Sequence, residues 1–234
     1  MTAPGIKFFS TTAHACSYLP GKQAVTLFAD PKTSMDRRLY TELSDLGFRR
    51  SGNYVYRPHC GSCQACVAIR IPVDRFTPNR QQLRVWKKNQ DIDVIVRDAS
   101  FQEEHYELYE RYITERHQDG DMYPPSVEQY ASFLTSEWSE TRFVEFRLDG
   151  QLLAVAVCDE LENGLSAVYT FYDADHEKRS LGTFAILWQI EETRRRNLPS
   201  LYLGYWIRDC QKMSYKIAFR PIELLINGEW LVAR

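Results

Sequence analysis

The chain has 234 residues, 44% hydrophobic and 26% charged, which is ordinary for a globular protein with one large core or two small ones. Its longest strongly apolar run, residues 152–158, is too short to cross a bilayer, and the N-terminus lacks a basic start followed by an apolar stretch. We therefore expect a cytoplasmic protein with no membrane partner. The net charge of −2 argues against a general nucleic-acid binder.

The first hundred residues have the pattern of a small α/β module. A helix is expected between Ser34, which can cap it, and Gly47, which can end it. Two strands are expected at residues 53–56 and 66–73, and apolar residues alternate in the second of them. The remaining elements of this part are a short basic helix at residues 79–90 and a strand at residues 91–96.

The residues from 101 onward begin with two helices and then combine strands with helices. Asp149-Gly150 supplies a two-residue hairpin turn, and Asn227-Gly228 supplies another near the end of the chain. The predicted elements are helices at 101–117 and 126–134, a hairpin at 142–158, a strand at 165–172, a helix at 180–196, a strand at 200–207, a short helix at 210–219 and a hairpin at 222–233.

This order of elements is found in N-acetyltransferase-like folds, in which two neighbouring strands separate and admit an acyl donor. The sequence thus predicts an α+β protein. A small N-terminal α/β module with a cysteine cluster, residues 1–100, would precede an N-acetyltransferase-like mixed-sheet domain, residues 101–234. The boundary is expected where the sign of the charge and the type of element change together.

Three cysteines recur at every third position within the stretch YRPHCGSCQAC, residues 56–66. A cytoplasmic location favours thiols or metal ligands over disulfides. A closed zinc site needs four ligands, and Cys16 is the N-terminal candidate to join Cys60, Cys63 and Cys66. The spacing leaves three interpretations open: a metal site, a redox site, or buried thiols.

Charge is distributed unevenly along the chain. Residues 49–88 contain nine Lys or Arg and one acid, whereas residues 91–145 contain fourteen acids and four Arg. The basic stretch at residues 70–88 is therefore a candidate contact for phosphates. The alternative is a solvated basic face with no partner.

Two further stretches have features of a ligand site. Lys178 and Arg179 precede the predicted helix at 180–196, whose first backbone N–H groups can bind an anion; the alternative is an ordinary helix start. Residues 201–223 interleave aromatic and cationic side chains, which suits the 3′ end of a nucleic acid through stacking and phosphate pairing. The alternative there is a core strand followed by a helix.

Five stretches together resemble the aminoacyl-tRNA–protein transferase family. They are CSYLPGKQAVTLFADP, GFRRSGNYVYRPHCGSCQACVAIRIPV, FTPNRQQLRVWKKN, SLGTFAIL and YLGYWIRDCQKMSYKIAFRPIELL. The resemblance covers nearly the whole chain, and it points to the short bacterial form of the family.

The resemblance implies that leucine is moved from leucyl-tRNA to the α-amino group of a protein that begins with Asp or Glu. The product would carry an N-terminal leucine, a degradation signal that an adaptor-coupled protease reads. No cofactor is required, since the aminoacyl ester is already activated. Eukaryotic relatives begin with Cys-Gly-Tyr-Cys, whereas this chain has CSYL at residues 16–19, and the missing cysteine argues against a metal at the cluster.

The implied reaction suggests roles for particular side chains. The candidate catalytic residues are Tyr202, Tyr205, Tyr215 and Lys216. The candidates for holding the tRNA 3′ end are Arg179, Ser180, Gly182 and Trp206. The candidates for contacting the tRNA acceptor arm are Arg75, Arg80, Arg84, Lys87 and Lys88. The candidates for binding the acidic N-terminus are Arg57, Arg80, Lys212 and Lys216.

Backbone N–H groups at residues 203–205 are candidates for stabilising the oxyanion of the reaction.

Three alternative functions remain open from the sequence. The first is arginyl-tRNA as the donor. The second is a small-molecule N-acetyltransferase that binds acetyl-coenzyme A. The third is a non-catalytic tRNA-binding module with a structural zinc.

Overall fold

The computed structural model describes residues 5–233, which form a mixed α+β fold. The strands are β1 (Phe8–Ser10), β2 (His14–Ala15), β3 (Gln23–Ala24), β4 (Thr26–Ala29), β5 (Arg49–Ser51), β6 (Tyr54–Pro58), β7 (Val67–Pro72), β8 (Asp93–Asp98), β9 (Thr141–Leu148), β10 (Gln151–Glu160), β11 (Gly164–Tyr172), β12 (Ser200–Trp206), β13 (Ile222–Ile226) and β14 (Glu229–Ala233). The α-helices are α1 (Arg37–Asp45), α2 (Arg80–Lys88), α3 (Glu103–Arg116), α4 (Val127–Leu134) and α5 (Leu181–Arg195). Short 3₁₀ segments are Val73–Arg75, Ala174–Arg179 and Gln211–Ala218.

An eight-stranded sheet dominates the fold, in the order β14-β13-β7-β12-β11-β10-β9-β8, and a four-stranded sheet has the order β1-β4-β6-β5. Strands β7 and β8 come from the first hundred residues, yet both pair within the large sheet. The division into residues 1–100 and 101–234 stays a prediction, and the large sheet takes strands from both sides of it.

The only parallel pair recorded among the described strands, β11 with β12, is short. It covers three positions, Gly164–Ser166 against Ser200–Tyr202, while β11 continues to pair with β10 as far as Tyr172. Beyond Ser166 and Tyr202 the two strands no longer form a ladder. We call this place the strand gap. A large mixed sheet is confirmed, and the finer N-acetyltransferase-like assignment stays a prediction.

Hydrophobic residues cover both faces of the large sheet. On one face α5 contributes Phe184, Leu187 and Ile190 to the largest core. On the other face α3 and α4 contribute Tyr109 and Tyr130 to a second core. A third cluster joins α1 to the small sheet and to β12, and it contains Tyr40, Leu43, Phe48 and Tyr202. Burial on both faces explains why β10 is apolar for most of its length.

A buried ion pair links the two sheets. Arg50 of β5 donates from Nε and Nη2 to the carboxylate of Asp159 in β10, at 2.7 and 2.8 Å, and both side chains are 0% exposed. The hydroxyls of Tyr40 and Thr141 donate to the same carboxylate, at 3.0 and 2.7 Å. The charges are thus paired and hydrogen-bonded, as burial requires.

Local expectations were confirmed for most elements. The predicted cap of α1 was wrong: Asp36 holds that position, because its carboxylate accepts the Leu39 N–H at 2.7 Å, and Ser34 lies outside the helix. Gly47 follows the helix with φ +83°. The short helix expected at residues 210–219 is a 3₁₀ segment. None of the helices among residues 5–233 combines the length and apolar character that a membrane span requires.

Candidate functional site

A β-bulge in β12 shapes the strand gap. Tyr202 pairs with Arg70 and Tyr205 pairs with Ala68, so three steps along β12 correspond to two along β7. The extra residue turns Tyr202 and Tyr205 to the same side of the sheet, where the Tyr202 hydroxyl reaches the last residue of α1 and the Tyr205 hydroxyl reaches Gly47 just after it. Gly204 lies within the bulge with φ +73°, a conformation that favours glycine.

Arg49 fills the strand gap from the small sheet. Its Nη2 donates to the carbonyl oxygens of Ala167 and Val168, at 2.7 and 3.2 Å, where β11 has left β12. Its guanidinium lies against Gly204 so closely that a β-carbon at that position would collide with it. The missing side chain of Gly204 therefore makes the room that Arg49 occupies.

Lys216 lies beside this arginine. Its ammonium group donates to the Tyr205 carbonyl at 2.5 Å, and the residue is 6% exposed. Burial, together with the nearby positive charge of Arg49, lowers the pKa of Lys216 to about 7. The neighbouring Tyr215 is 50% exposed, with its ring centre 5.9 Å from Lys216 Nζ. A half-neutral amine next to an accessible aromatic ring is therefore present at the gap.

The hydroxyls of the other two candidate catalytic tyrosines are already hydrogen-bonded within the protein. Tyr205 donates to the Gly47 carbonyl at 2.7 Å, and Tyr202 donates to Asp45 Oδ1 at 2.5 Å while accepting from Arg70 at 3.2 Å. Burial raises the pKa of each phenol above its usual value of about 10. Both hydroxyls stay protonated at neutral pH and orient the β12 backbone toward the helix α1.

The structure places the candidates for the 3′ end in different surroundings. Arg179 makes two 2.8 Å contacts with the Asp91 carboxylate, so its charge already has a partner. Ser180 adopts φ +53° before α5, and a β-carbon on Gly182 would come 3.3 Å from the Tyr172 ring. Trp206 packs against the largest core. Arg179, Ser180 and Gly182 thus lie at the start of α5, and Trp206 lies at the end of β12.

Four of the five candidates for the acceptor arm form a basic stripe on and next to α2. Arg80, Arg84 and Lys87 recur at helical spacing on its exposed face, and Arg75 lies exposed just before the helix. None of these four forms an ion pair within residues 5–233. Lys88 instead donates to the Lys178 carbonyl at 2.7 Å. We call Arg75, Arg80, Arg84 and Lys87 the basic stripe.

The four candidates for binding the acidic N-terminus also have different surroundings. Lys212 is paired with Asp119 at 2.8 Å on the surface. Arg57 donates to the Leu46 carbonyl at 3.2 Å and lies 5.0 Å from the centre of the Phe48 ring. Arg80 belongs to the basic stripe. Of the four candidates, only Lys216 lies at the strand gap.

The cysteines lie near one another without forming a metal centre. All six are free, and burial raises the pKa of the Cys66 thiol to about 11, with Cys16, Cys60, Cys63 and Cys210 adding to the shift. The Cys60 thiol contacts the backbone of Val25. Among residues 5–233 no three His, Cys, Asp or Glu side chains converge as metal ligands. The four predicted ligands therefore do not fit a zinc site as they are placed.

Sequence reasoning missed Arg49, and it included Gly204 only within the candidate oxyanion segment, residues 203–205. In the sequence Arg49 is only one of nine cations in a basic stretch, and nothing there separates it from its neighbour Arg50, which pairs with Asp159. Gly204 interrupts the strand pattern LYLGYW, and a glycine inside a strand often marks a bulge or a close approach of another group. That signal pointed to the bulge, but only the tertiary structure shows which side chain approaches it.

Comparisons with known proteins complete the description of the site. Residues 14–84 match a family described as "Arginine-tRNA-protein transferase, N terminus", and residues 104–226 match its "C terminus" counterpart. The chain is 59% identical to the aspartate/glutamate leucyltransferases of Pseudomonas putida and Pseudomonas fluorescens, over 97% of this chain and 96–97% of theirs. Among solved structures, L-PGS from Bacillus licheniformis matches with a TM-score of 0.47 and 12% identity, covering 86% of this chain and 68% of that one.

Proposed function

The chain belongs to the arginine-tRNA-protein transferase family, and on that premise we propose that it transfers leucine from leucyl-tRNA to proteins with N-terminal Asp or Glu. The family match spans most of the chain, and relatives with 59% identity have the name aspartate/glutamate leucyltransferase. The protein is accordingly an aminoacyl-tRNA–protein transferase, an enzyme whose substrates are a charged tRNA and a protein.

The reaction forms a peptide bond and breaks an ester. The neutral α-amine of the acceptor attacks the carbonyl carbon of the aminoacyl ester, and the carbonyl oxygen becomes negative. The nitrogen then loses a proton, the C–O bond to the ribose breaks, and the ribose oxygen leaves with a proton. No nucleotide triphosphate or coenzyme takes part, because the ester already carries the needed free energy.

The observation that supports this chemistry best is the buried Lys216. With a pKa of about 7, a large share of its amine is neutral at neutral pH. It can accept the proton that the attacking nitrogen loses and return it to the leaving ribose oxygen. The acceptor α-amine has an ordinary pKa of about 7.7–8.0, so a stronger base is not needed. Lys216 is thus our candidate for moving the proton.

The bulge offers donors for the oxyanion. Leu203 and Gly204 lie between the Tyr202–Arg70 and Tyr205–Ala68 pairs with β7, and β12 has no ladder with β11 beyond Tyr202. Backbone N–H groups at residues 203–205 are therefore candidates to donate to the negative oxygen. An N-acetyltransferase-like domain opens its strands in the same way for an acyl donor, which supports this fold assignment for residues 101–234.

The basic stripe is our candidate contact for the tRNA acceptor arm. Exposed cations that lack carboxylate partners are free to neutralise phosphates and release counterions. Residues 179–182 and Trp206 are assigned to the 3′ end on the resemblance alone. We place the protein in the cytoplasm, where its product would pass to an adaptor-coupled protease that reads N-terminal leucine.

A transfer assay tests the function directly. The purified protein is mixed with radiolabelled leucyl-tRNA or arginyl-tRNA and with reporters that differ only in residue 1, which is Asp, Glu or Ala. We expect label from leucyl-tRNA on the Asp and Glu reporters alone. Label from arginyl-tRNA would overturn the donor. Binding of tRNA without any transfer would favour a non-catalytic module, and stabilisation by acetyl-coenzyme A would favour an acetyltransferase.

A further inference from the structure

The Arg49 side chain is held in place between the four-stranded sheet and the eight-stranded sheet. Two backbone carbonyls of β11 hold its Nη2, and the glycine of the β12 bulge leaves space for the rest of the guanidinium. Two strands of the large sheet thus share the positioning of one side chain that originates in the small sheet. Such support on several sides fixes the direction in which the remaining N–H groups point.

The charge of Arg49 has no carboxylate partner within residues 5–233. Its neighbour Arg50 is paired with Asp159, and Arg70 is paired with Asp45 and Glu223. Arg49 contacts only carbonyl oxygens, although it is partly buried. A partly desolvated guanidinium that lacks a counter-charge attracts a carboxylate strongly, because little hydration has to be removed.

Part of the guanidinium remains available to a ligand. Only Nη2 has hydrogen-bond partners among the described residues, and Arg49 as a whole is half-buried. Nε and Nη1 each carry an N–H that can donate to a carboxylate oxygen.

Arg49 also lies next to the amine at which we place the reaction. Arg49 lies against Gly204, and Lys216 Nζ donates to the carbonyl of the next residue, Tyr205. The charge of Arg49 also contributes to the lowered pKa of Lys216. An acceptor whose α-nitrogen is at Lys216 therefore has its first side chain near Arg49. By contrast, Lys212 is already paired with Asp119, and Arg57 lies over Phe48.

We propose that Arg49 is the residue that selects acidic acceptors, by donating from Nε or Nη1 to the side-chain carboxylate of the acceptor's first residue while the α-amine lies at Lys216. This inference rests on the proposed function and adds the origin of its acceptor specificity. Arg49 then takes the place of Arg57, Arg80 and Lys212 as the cation for the acidic group.

The test compares charged acceptors with their neutral isosteres. Four reporters that differ only in residue 1, Asp, Asn, Glu or Gln, are assayed for leucine transfer, and kcat/KM is measured for each. For Arg49→Gln we expect the Asp-to-Asn ratio to fall about tenfold or more, since a charge-assisted pair is lost. Arg38→Gln, on an exposed and unassigned arginine of α1, is the matched control and should keep the wild-type ratio.

A second variant keeps the test decisive if Arg49→Gln fails to fold. Lysine is a point charge that lacks the planar guanidinium, so Arg49→Lys should retain part of the Asp-to-Asn preference and shift the Asp-to-Glu ratio at least about threefold. Equal losses on charged and neutral reporters, with both ratios unchanged in both variants, would overturn the proposal and leave Arg49 with a structural role. Wild-type protein that ignores Asp and Glu reporters would instead overturn the proposed function itself.

Discussion

Two adjacent arginines enter two very different regions of this molecule. Arg50 enters an ion-pair region away from solvent, in which it pairs with the Asp159 carboxylate and the hydroxyls of Tyr40 and Thr141 donate to the same carboxylate. Arg49 enters the strand gap, in which it contacts backbone carbonyls and is only half-buried. The first arrangement is closed and serves the fold, whereas the second leaves charge unpaired beside a low-pKa amine. The charge of Arg49, which lacks a carboxylate partner within residues 5–233, thus marks a place where a substrate carboxylate can bind.

The largest effect is expected at the strand gap. Lys216→Met removes the amine that receives the proton, so the single-turnover rate of leucine transfer should fall about 10²–10⁴-fold. The free energy of unfolding should not fall, because a buried, partly charged group is replaced by an apolar one of similar length. Urea titration measures this stability beside the rate. A normal rate in a folded Lys216→Met protein would remove Lys216 from the chemistry.

The opposite pattern is expected in the ion-pair region. Arg50→Met leaves the Asp159 carboxylate buried without its partner, which should lower the free energy of unfolding by about 3–5 kcal/mol. Transfer by the fraction that remains folded should stay close to the wild-type rate. The double variant Arg50→Met with Asp159→Leu should recover most of the stability, since neither charge remains. Equal destabilisation of single and double variants would show that the pairing is not what matters.

A smaller effect is expected at Gly204, where β12 meets the Arg49 side chain. Gly204→Ala adds a β-carbon at φ +73° against the Arg49 guanidinium, so strain of about 1–3 kcal/mol is expected. Because Arg49 must move, transfer to the Asp reporter should also weaken more than transfer to the Asn reporter. Gly61→Ala is the control, because no atom lies within 4 Å of an added β-carbon there. If Gly204→Ala changed neither the stability nor the ratio of transfer to the Asp and Asn reporters, the close contact would not be maintained in solution.

The smallest effect is expected on the basic stripe. Arg84→Gln and Lys87→Gln should each reduce the slope of log affinity for tRNA against log salt concentration by about 0.7–0.9. The loss should be the same for charged and uncharged tRNA, since phosphates carry no information about the amino acid. Lys32→Gln, on an exposed lysine outside the stripe, should leave the slope unchanged. A slope that does not respond to the stripe would place the tRNA on another surface.

Local sequence patterns predicted most of the fold because they report local physics. The turns Asp149-Gly150 and Asn227-Gly228 and the alternation in β7 all appear as expected. In the small sheet β6 was expected at residues 53–56, whereas β1, β4 and β5 escaped prediction because they are short and mostly lack alternation. The cap of α1 was misplaced by two residues because Ser34 and Asp36 are both good caps.

The candidate site was harder to predict, for a physical reason. Lys216 was identified because a cation beside aromatic residues is visible in the sequence. Arg49 was missed because nothing within the sequence distinguishes it from Arg50. Which of the two meets a carboxylate depends on Asp159, more than a hundred residues away, and on the glycine at 204. Charge pairing across sheets is a tertiary property that local patterns do not contain.

The measurement that most directly tests the role of Lys216 is the pH dependence of single-turnover leucine transfer to the Asp reporter. Both Lys216 and the acceptor α-amine must be neutral, so below pH 7 the logarithm of the rate should rise with a slope of about two. The wild-type profile should bend near pH 7, where Lys216 loses its proton, and again near the pKa of the acceptor amine. Lys216→Met should retain a slope of about one and lose the lower bend. Parallel profiles of slope one for both proteins would contradict the assignment of proton transfer to Lys216.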